Sequence, residues 1–322
     1  MRNHQSFLAE QMKSFVVFQT AAGRWNKTYD SYLYYFDQHC NKSFPGENVL
    51  REEMTDSWCA QRESESSNTC RIRAYPIANF VKYLRMRGLT EIPTPTIPKQ
   101  KRSGYIPHAF TYSELEAFFR ECDNMPVTRP NSLAMRIRKL VVPVFFRLLY
   151  STGIRTYEAR LLKVGDVDLD EGVLNIRTAK GQNQYYAALH DSMAELMLKY
   201  DHAIRPICPG RDYFFPSPRG SFFSKEWVGY TFRGIWEKVG THRATAYELR
   251  HNYAVENINR WTGDGFGFFD KMVYLSKSMG HVTLESTKGY FHLTPAMPNL
   301  ILELSGEGFD DIVPGVTYEE GW

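Results

Sequence analysis

Apolar residues in the first hundred positions recur every three or four residues, which is the spacing of one helical face. The pattern is clearest over Phe7–Gln19, Thr28–Cys40 and Cys70–Arg87, so three helices are predicted there. Ser66-Ser67-Asn68 breaks the chain before the third, and Gly88 stops it, as glycine does just past a helix end. The stretch EIPTPTIPKQKRSG follows, with three prolines in six residues, a composition that forbids helix and favours an extended path. Beyond it, Thr111 with Glu114 and Ser113 with Glu116 form overlapping capping boxes. A long apolar helix, LAMRIRKLVVPVFFRLLYSTG, then runs to Gly153. Val173–Thr178 and Gln184–Leu189 alternate like two strands joined through Ala179-Lys-Gly-Gln, and helical spacing returns from Ser192, Ser224, Thr245 and Phe269. The reading is mainly α with a small antiparallel β-sheet, an α+β chain. It divides into a helical part at 1–91, a Pro-rich linker at 92–104, a larger part at 105–295 and a tail at 296–322.

Composition narrows the class. In 322 residues, 43% are hydrophobic and 23% charged, the balance of a globular protein with room for two domains. No apolar run approaches the roughly 18 residues of a membrane span, and the first fifteen residues lack the apolar stretch of a signal peptide, so a cytoplasmic protein is expected. Five cysteines with no CxxC pair fit reduced thiols rather than a zinc site or a disulfide framework. Net charge is +3, unevenly spread: +5 over residues 1–104, +4 over 105–295 and −6 over 296–322. A basic body with an acidic tail admits a polyanionic partner.

Four segments carry candidate chemistry, and each has an ordinary reading when taken singly. Thr152-Gly-Ile-Arg-Thr-Tyr-Glu158 sits between two helices, where Gly153 permits a sharp turn and Arg155 presents a planar fork suited to phosphate oxygens. The ordinary reading is a surface pair of Arg155 with Glu158. Lys180 at the tip of the predicted hairpin can reach into a groove and donate a proton, although most hairpin lysines only keep a turn soluble. Tyr247 and Arg250 are three residues apart, so on a helix they share a face that can bring a guanidinium and a hydroxyl to one phosphate. Finally, His281 of Met279-Gly-His precedes Tyr290 of Tyr290-Phe-His292 by nine residues. With 20 tyrosines in the chain, any one is more often packing than nucleophile.

Taken together and in this order, the segments resemble the active-site boxes of the tyrosine recombinase (phage integrase) family. That pattern runs Thr-Gly-x-Arg, a lysine on a β-hairpin, His-x-x-Arg-His, Gly-His, and a tyrosine nine residues on. Here it reads TGIRTYE at 152–158, AKG at 179–181, ELRHNYA at 248–254, GH at 280–281 and YFH at 290–292. The resemblance covers residues from about 105 to 295, and the helical N-terminal part resembles the family's core-binding domain. One position departs from the pattern: Tyr247 stands where it has histidine. A phenol can still donate to a phosphate oxygen but does not switch protonation near neutrality.

The resemblance implies a two-domain, C-shaped clamp on double-stranded DNA. Tyr290 attacks a scissile phosphate, leaving a 3′-phosphotyrosyl link and a free 5′-hydroxyl, and the step reverses with a hydroxyl from a partner DNA. Arg155 and Arg250 stabilise charge on the non-bridging oxygens, Lys180 protonates the leaving oxygen, His281 orients the phosphate or assists proton transfer, and Tyr247 holds one oxygen. Glu158, His251 and His292 support them, and Tyr274 is the next candidate nucleophile. Neither ATP, cofactor nor metal is expected. The expected partners are a specific recombination site, a homotetramer on two sites and accessory DNA-bending proteins. The acidic tail either docks on a neighbouring protomer or packs on its own chain. Arg71, Arg73, Lys82, Arg85 and Arg87 on the third helix, with Lys99, Lys101 and Arg102 after it, are the expected DNA contacts. Such an enzyme is a site-specific recombinase, an integrase or transposase of a mobile element. A type IB topoisomerase or telomere resolvase shares the tyrosine chemistry, and a DNA-binding protein with a decayed site is the alternative that Tyr247 raises.

Overall fold

A computed structural model of the chain describes residues 2–101, 107–126, 129, 132–177, 184–240, 242–261, 267–281, 283–288 and 290. Lys180, Arg102, His292 and the acidic tail lie outside the described residues. The chain divides into two compact units, Met1–Tyr105 and Ile106–Trp322.

The first unit contains four helices among its described residues: α1 (Ala9–Ala21), α2 (Lys27–Ser43), α3 (Glu52–Cys59) and α4 (Ser67–Met86). Asn26 caps α2 by accepting from the Thr28 and Tyr29 amides, and Ser66 caps α4 through the Thr69 amide. At the far end of α4, Gly88 adopts φ +67°, and the Leu89 amide returns to the Leu84 carbonyl, which satisfies the last turn. Met12, Phe15, Phe36, Met54, Ile77 and Phe80 fill the core between the helices. The periodicity does not reveal α3, which has only eight residues, although Met54 and Trp58 mark its buried side. The Pro-rich segment is tied to α4 rather than hanging free. Arg71 donates to the Pro98 carbonyl, and Asn68 exchanges two hydrogen bonds with the Lys101 backbone.

One expected DNA contact is corrected here. The Arg73 side chain is 3% exposed and faces inward: it pairs with Glu65 at 2.6 Å and donates to the Trp58 and Ala60 carbonyls. A guanidinium so committed is a cross-link between α3, the following loop and α4, and it has no face for phosphate. Lys82, Arg85, Arg87, Lys99 and Lys101 are exposed.

In the second unit, the Thr111–Glu114 capping box starts α5 (Tyr112–Asp123). Then come α6 (Leu133–Thr152), α7 (Thr156–Leu161), a three-stranded antiparallel sheet, α8 (Asp191–Ile204), α9 (Lys225–Trp236), α10 (Glu248–Trp261), α11 (Gly267–Ser278) and the single turn α12 (Glu285–Lys288). The sheet has the order β1 (Val167–Asp168), β2 (Val173–Ile176), β3 (Tyr185–Ala188), with Val173 opposite Ala188 and Ile176 opposite Tyr185. The alternation predicts the β2–β3 pairing, whereas two-residue β1 is too short to show a period. Helix α6 is central and packs against α5, α8 and α10; Pro143 lies within it without ending it. Its Val141, Phe145, Phe146 and Leu149 join Phe118, Phe214, Phe215 and Phe232 in the main core. A smaller cluster of Ala254, Ile258, Met272, Leu275, Met279 and Tyr290 closes the end of the unit that holds the candidate site. All five cysteines are free thiols, and among the described residues no helix is long and apolar enough to cross a membrane.

Removing one partner of a buried ion pair leaves an uncompensated charge, at a cost of about 3 kcal/mol or more. Arg73→Met is therefore expected to destabilise the first unit by that amount, read as a lower urea midpoint. An unchanged midpoint would show that the pair contributes nothing to the fold.

Candidate active site

The end of α6 creates the first part of the site. Gly153 takes φ +63° and its amide closes on the Leu149 carbonyl; a Cβ here would lie 2.3 Å from Tyr253 Cδ1, so only glycine fits. The chain then turns through fully buried Ile154, and Arg155 becomes the residue that starts α7. Its amide donates to Glu158 Oε2 (2.8 Å), its Nη1 to Glu158 Oε1 (2.7 Å) and its Nη2 to the Gly280 carbonyl (2.9 Å). The Glu158 side chain is fully buried, and Oε2 also accepts from the Tyr185 hydroxyl at 2.6 Å. The ordinary surface pair is thus replaced by a buried carboxylate that aims the guanidinium.

Arg250 approaches from α10. It is 1% exposed, with Nη1 donating to the Gly153 carbonyl and Nη2 to the Met279 carbonyl at 2.8 Å. The same Nη2 lies 2.8 Å from His281 Nε2. A guanidinium carries only donors, so Nε2 accepts, and the proton sits on Nδ1, which donates to Thr287 Oγ1 at 2.7 Å. Both arginines therefore grip one short loop, Met279–His281, which brings segments more than a hundred residues apart together.

Tyr290 completes the cluster. Its ring lies near two imidazoles, 6.1 Å from and nearly parallel to His281 and 5.4 Å from His251, whose ring is in turn 5.0 Å from Tyr247. Only 6% of Tyr290 is exposed. Burial pushes its phenol above the ordinary tyrosine range, and the adjacent Arg250 guanidinium, which hydrogen-bonds to it, pulls in the opposite direction. His251 and His281 are both pushed down to about 4, by burial first and by Arg250 second, so both are neutral at pH 7.

The structure thus brings together Arg155, Arg250, His281, Tyr290, Glu158 and His251. Tyr247 differs from expectation in its setting: α10 begins at Glu248, so Tyr247 lies in the preceding turn, 43% exposed, and shares no exposed helical face with buried Arg250. It still lies close enough to act on the ionisation of Arg155 and Tyr290. Tyr274, the second candidate nucleophile, is 70% exposed and has no place in this cluster. Sequence patterns do not single out Tyr185, Thr287 or the carbonyls of Gly153, Met279 and Gly280. The positive φ of Gly153 and Gly280 is the one local trait of those loops, and glycine at both positions hints at it.

A buried Arg250 and a partly exposed Arg155 beside a tyrosine, on a helical domain with a small antiparallel sheet, are the features of the tyrosine recombinase catalytic fold. The sequence model of the phage integrase family matches residues 109–297, and the chain belongs to that family. It is 26% identical over 272 residues to tyrosine recombinase XerC of Lactobacillus delbrueckii subsp. bulgaricus, covering 82% of this chain and 84% of that one. Among solved structures it resembles the XerH site-specific recombinase bound to palindromic difH substrate in a post-cleavage complex. There the TM-score is 0.62 at 19% identity, covering 88% of this chain and 79% of the other. A lambda integrase dimer bound to a COC′ core site gives a TM-score of 0.58 at 15% identity, covering 87% and 96%. Members of the family cut and rejoin DNA, and these likenesses favour a recombinase over the topoisomerase and binding-only readings.

The two depressed imidazoles set a pH dependence of stability. An unfolded histidine titrates near 6.5, so between about pH 6.5 and 4 the unfolded chain binds protons that the folded site refuses, and stability falls as pH is lowered through that window. His281→Asn removes one such group. Its melting temperature should drop less than that of the parent between pH 7 and pH 5; an equal drop would place the proton uptake elsewhere.

Proposed function

We propose that this site-specific tyrosine recombinase breaks and rejoins DNA through the Tyr290 hydroxyl. The observation that carries this reading is the convergence of Tyr290 with Arg250, His281 and Arg155 on one loop. The phenol oxygen forms a bond to phosphorus, the bond to the 5′-oxygen breaks, and the leaving oxygen takes a proton, yielding a 3′-phosphotyrosine and a 5′-hydroxyl. One ester replaces another of similar energy, so the link preserves what is needed for rejoining, and the covalent intermediate divides one hard step into two.

Charge that builds on the non-bridging oxygens meets Arg155 and Arg250, which Glu158 and backbone carbonyls hold at the site before DNA binds. His281 is neutral and holds its proton on Nδ1, which leaves Nε2 as the face that can accept from the reacting phenol once Arg250 turns to phosphate. Tyr247 donates to a phosphate oxygen, a role supported by its exposure beside His251. Lys180 is the proton donor to the leaving oxygen on the strength of the family resemblance.

The substrate is double-stranded DNA carrying a specific recombination site, worked on by a homotetramer, with accessory DNA-bending proteins as further partners. The DNA-bound and tetrameric complexes of lambda integrase lend this support. The exposed basic residues Lys82, Arg85, Arg87, Lys99 and Lys101 suit phosphate contacts, which position a protein without reading sequence. The setting is the cytoplasm, and the biological role is movement of a mobile element.

Covalent capture tests this reading whatever the recombination sequence is. A pool of nicked duplexes with randomised arms is incubated with the protein, and covalently captured DNA is selected. The parent chain should form an adduct that survives denaturant and is digested by protease, while Tyr290→Phe binds the selected duplex and forms none; an adduct in that variant would move the nucleophile elsewhere. Arg155→Ala and Arg250→Ala should each slow cleavage by about 10²–10³-fold, the usual effect of deleting a donor aimed at transition-state charge. Near-parental single-turnover rates would contradict their assigned role.

A further inference from the structure

We propose that Tyr185 is a positioning residue for DNA cleavage, holding Arg155 by both of the groups that fix that guanidinium; this rests on the reading of Arg155 as a phosphate ligand. The first of those groups is Glu158. Its buried carboxylate accepts from the Arg155 amide and Nη1 and, at 2.6 Å, from the Tyr185 hydroxyl. The second is the Gly280 peptide, whose carbonyl accepts from Arg155 Nη2. The Tyr185 ring lies directly against Gly280: a Cβ built there would stand 2.3 Å from Tyr185 Cε1. One side chain therefore supports the carboxylate with its hydroxyl and the peptide with its ring. Burial, with Glu158 next to it, holds the phenol far above the ordinary tyrosine range, so it remains a donor at any working pH.

The position of Tyr185 in the sheet adds a second consequence. It opens β3 opposite Ile176, which ends β2, and the connection between these two strands contains Lys180 in sequence. The residue that opens β3 is thus also one that holds Arg155. Removing only the hydroxyl leaves the ring against Gly280 but deprives Glu158 Oε2 of one donor. The carboxylate can then rotate and carry Arg155 Nη1 with it.

The experiment compares single-turnover cleavage of the captured duplex with a phosphate at the scissile position and with a methylphosphonate there. Methylphosphonate replaces a charged non-bridging oxygen with methyl, so a group that acts by stabilising that charge loses its importance. Tyr185→Phe should bind the duplex within about twofold of the parent and cleave the phosphate roughly ten- to a hundredfold more slowly, the scale of a lost hydrogen bond to a charged group. On methylphosphonate the deficit should shrink to a few-fold, as it should for Arg155→Ala. A packing defect would slow both substrates equally. Parental cleavage of phosphate by Tyr185→Phe, or an equal deficit on both substrates while that of Arg155→Ala shrinks, would overturn the proposal. An equal deficit on both substrates for Arg155→Ala itself would overturn the reading of Arg155, and the role of Tyr185 with it.

Discussion

The burial of Arg250 is the constraint around which the end of the second unit is built. A guanidinium removed from water costs several kcal/mol unless its donors are satisfied, and this one is 1% exposed. Its partners include the carbonyls of Gly153 and Met279 and the His281 ring, contributed by the turn after α6 and the loop after α11. Those loops must therefore hold fixed conformations, and glycines at positive φ supply them at 153 and 280. Close packing against Tyr253 and Tyr185 makes any larger residue at either glycine collide with an aromatic ring. A catalytic-looking arginine is also the structural tie that assembles its own surroundings.

This arrangement gives the site a particular electrostatic character. Two cations, two neutral imidazoles and a buried phenol share a small volume, and the compensating carboxylate is Glu158, engaged by Arg155 and Tyr185. An incoming phosphate meets an Arg250 that is engaged by carbonyl oxygens, so binding there exchanges weak dipolar partners for a full negative charge. On the proposed mechanism the buried Tyr290 ring must also move out from beside His251 and His281 to reach phosphorus. It belongs to the smallest of the three hydrophobic clusters among the described residues.

Other clusters of charge have purely architectural work. Asp37 is fully buried and accepts from the Gln5 and Ser6 amides and the Ser6 hydroxyl, tying the start of the chain to α2. Arg73 does the same for α3 and α4 through the Trp58 carbonyl, with Glu65 as its counter-ion. In sequence it is indistinguishable from the basic residues around it on α4, which is why the pattern groups it with the DNA contacts. Whether an arginine meets solvent or a carboxylate depends on the neighbouring helix, which a single helical pattern does not contain.

Local physics made much of the architecture legible in the chain itself. Periods of 3.6 and 2 residues, the cap at Thr111 and the glycines at 88 and 153 set where long helices and the β2–β3 hairpin form, because each depends on residues within a turn or two. Short α3 and two-residue β1 escaped, since neither spans enough positions to display a period. The order TGIR, ELRH, GH, Y pointed to the chemistry through a family likeness. Which groups actually touch was decided by tertiary structure alone. The acceptors of Arg155 and Arg250 are mostly backbone carbonyls, which every residue has, and Tyr185 looks like any tyrosine in a strand. Such partners are chosen by packing between segments up to 125 residues apart, and no local spacing records a contact made across that separation.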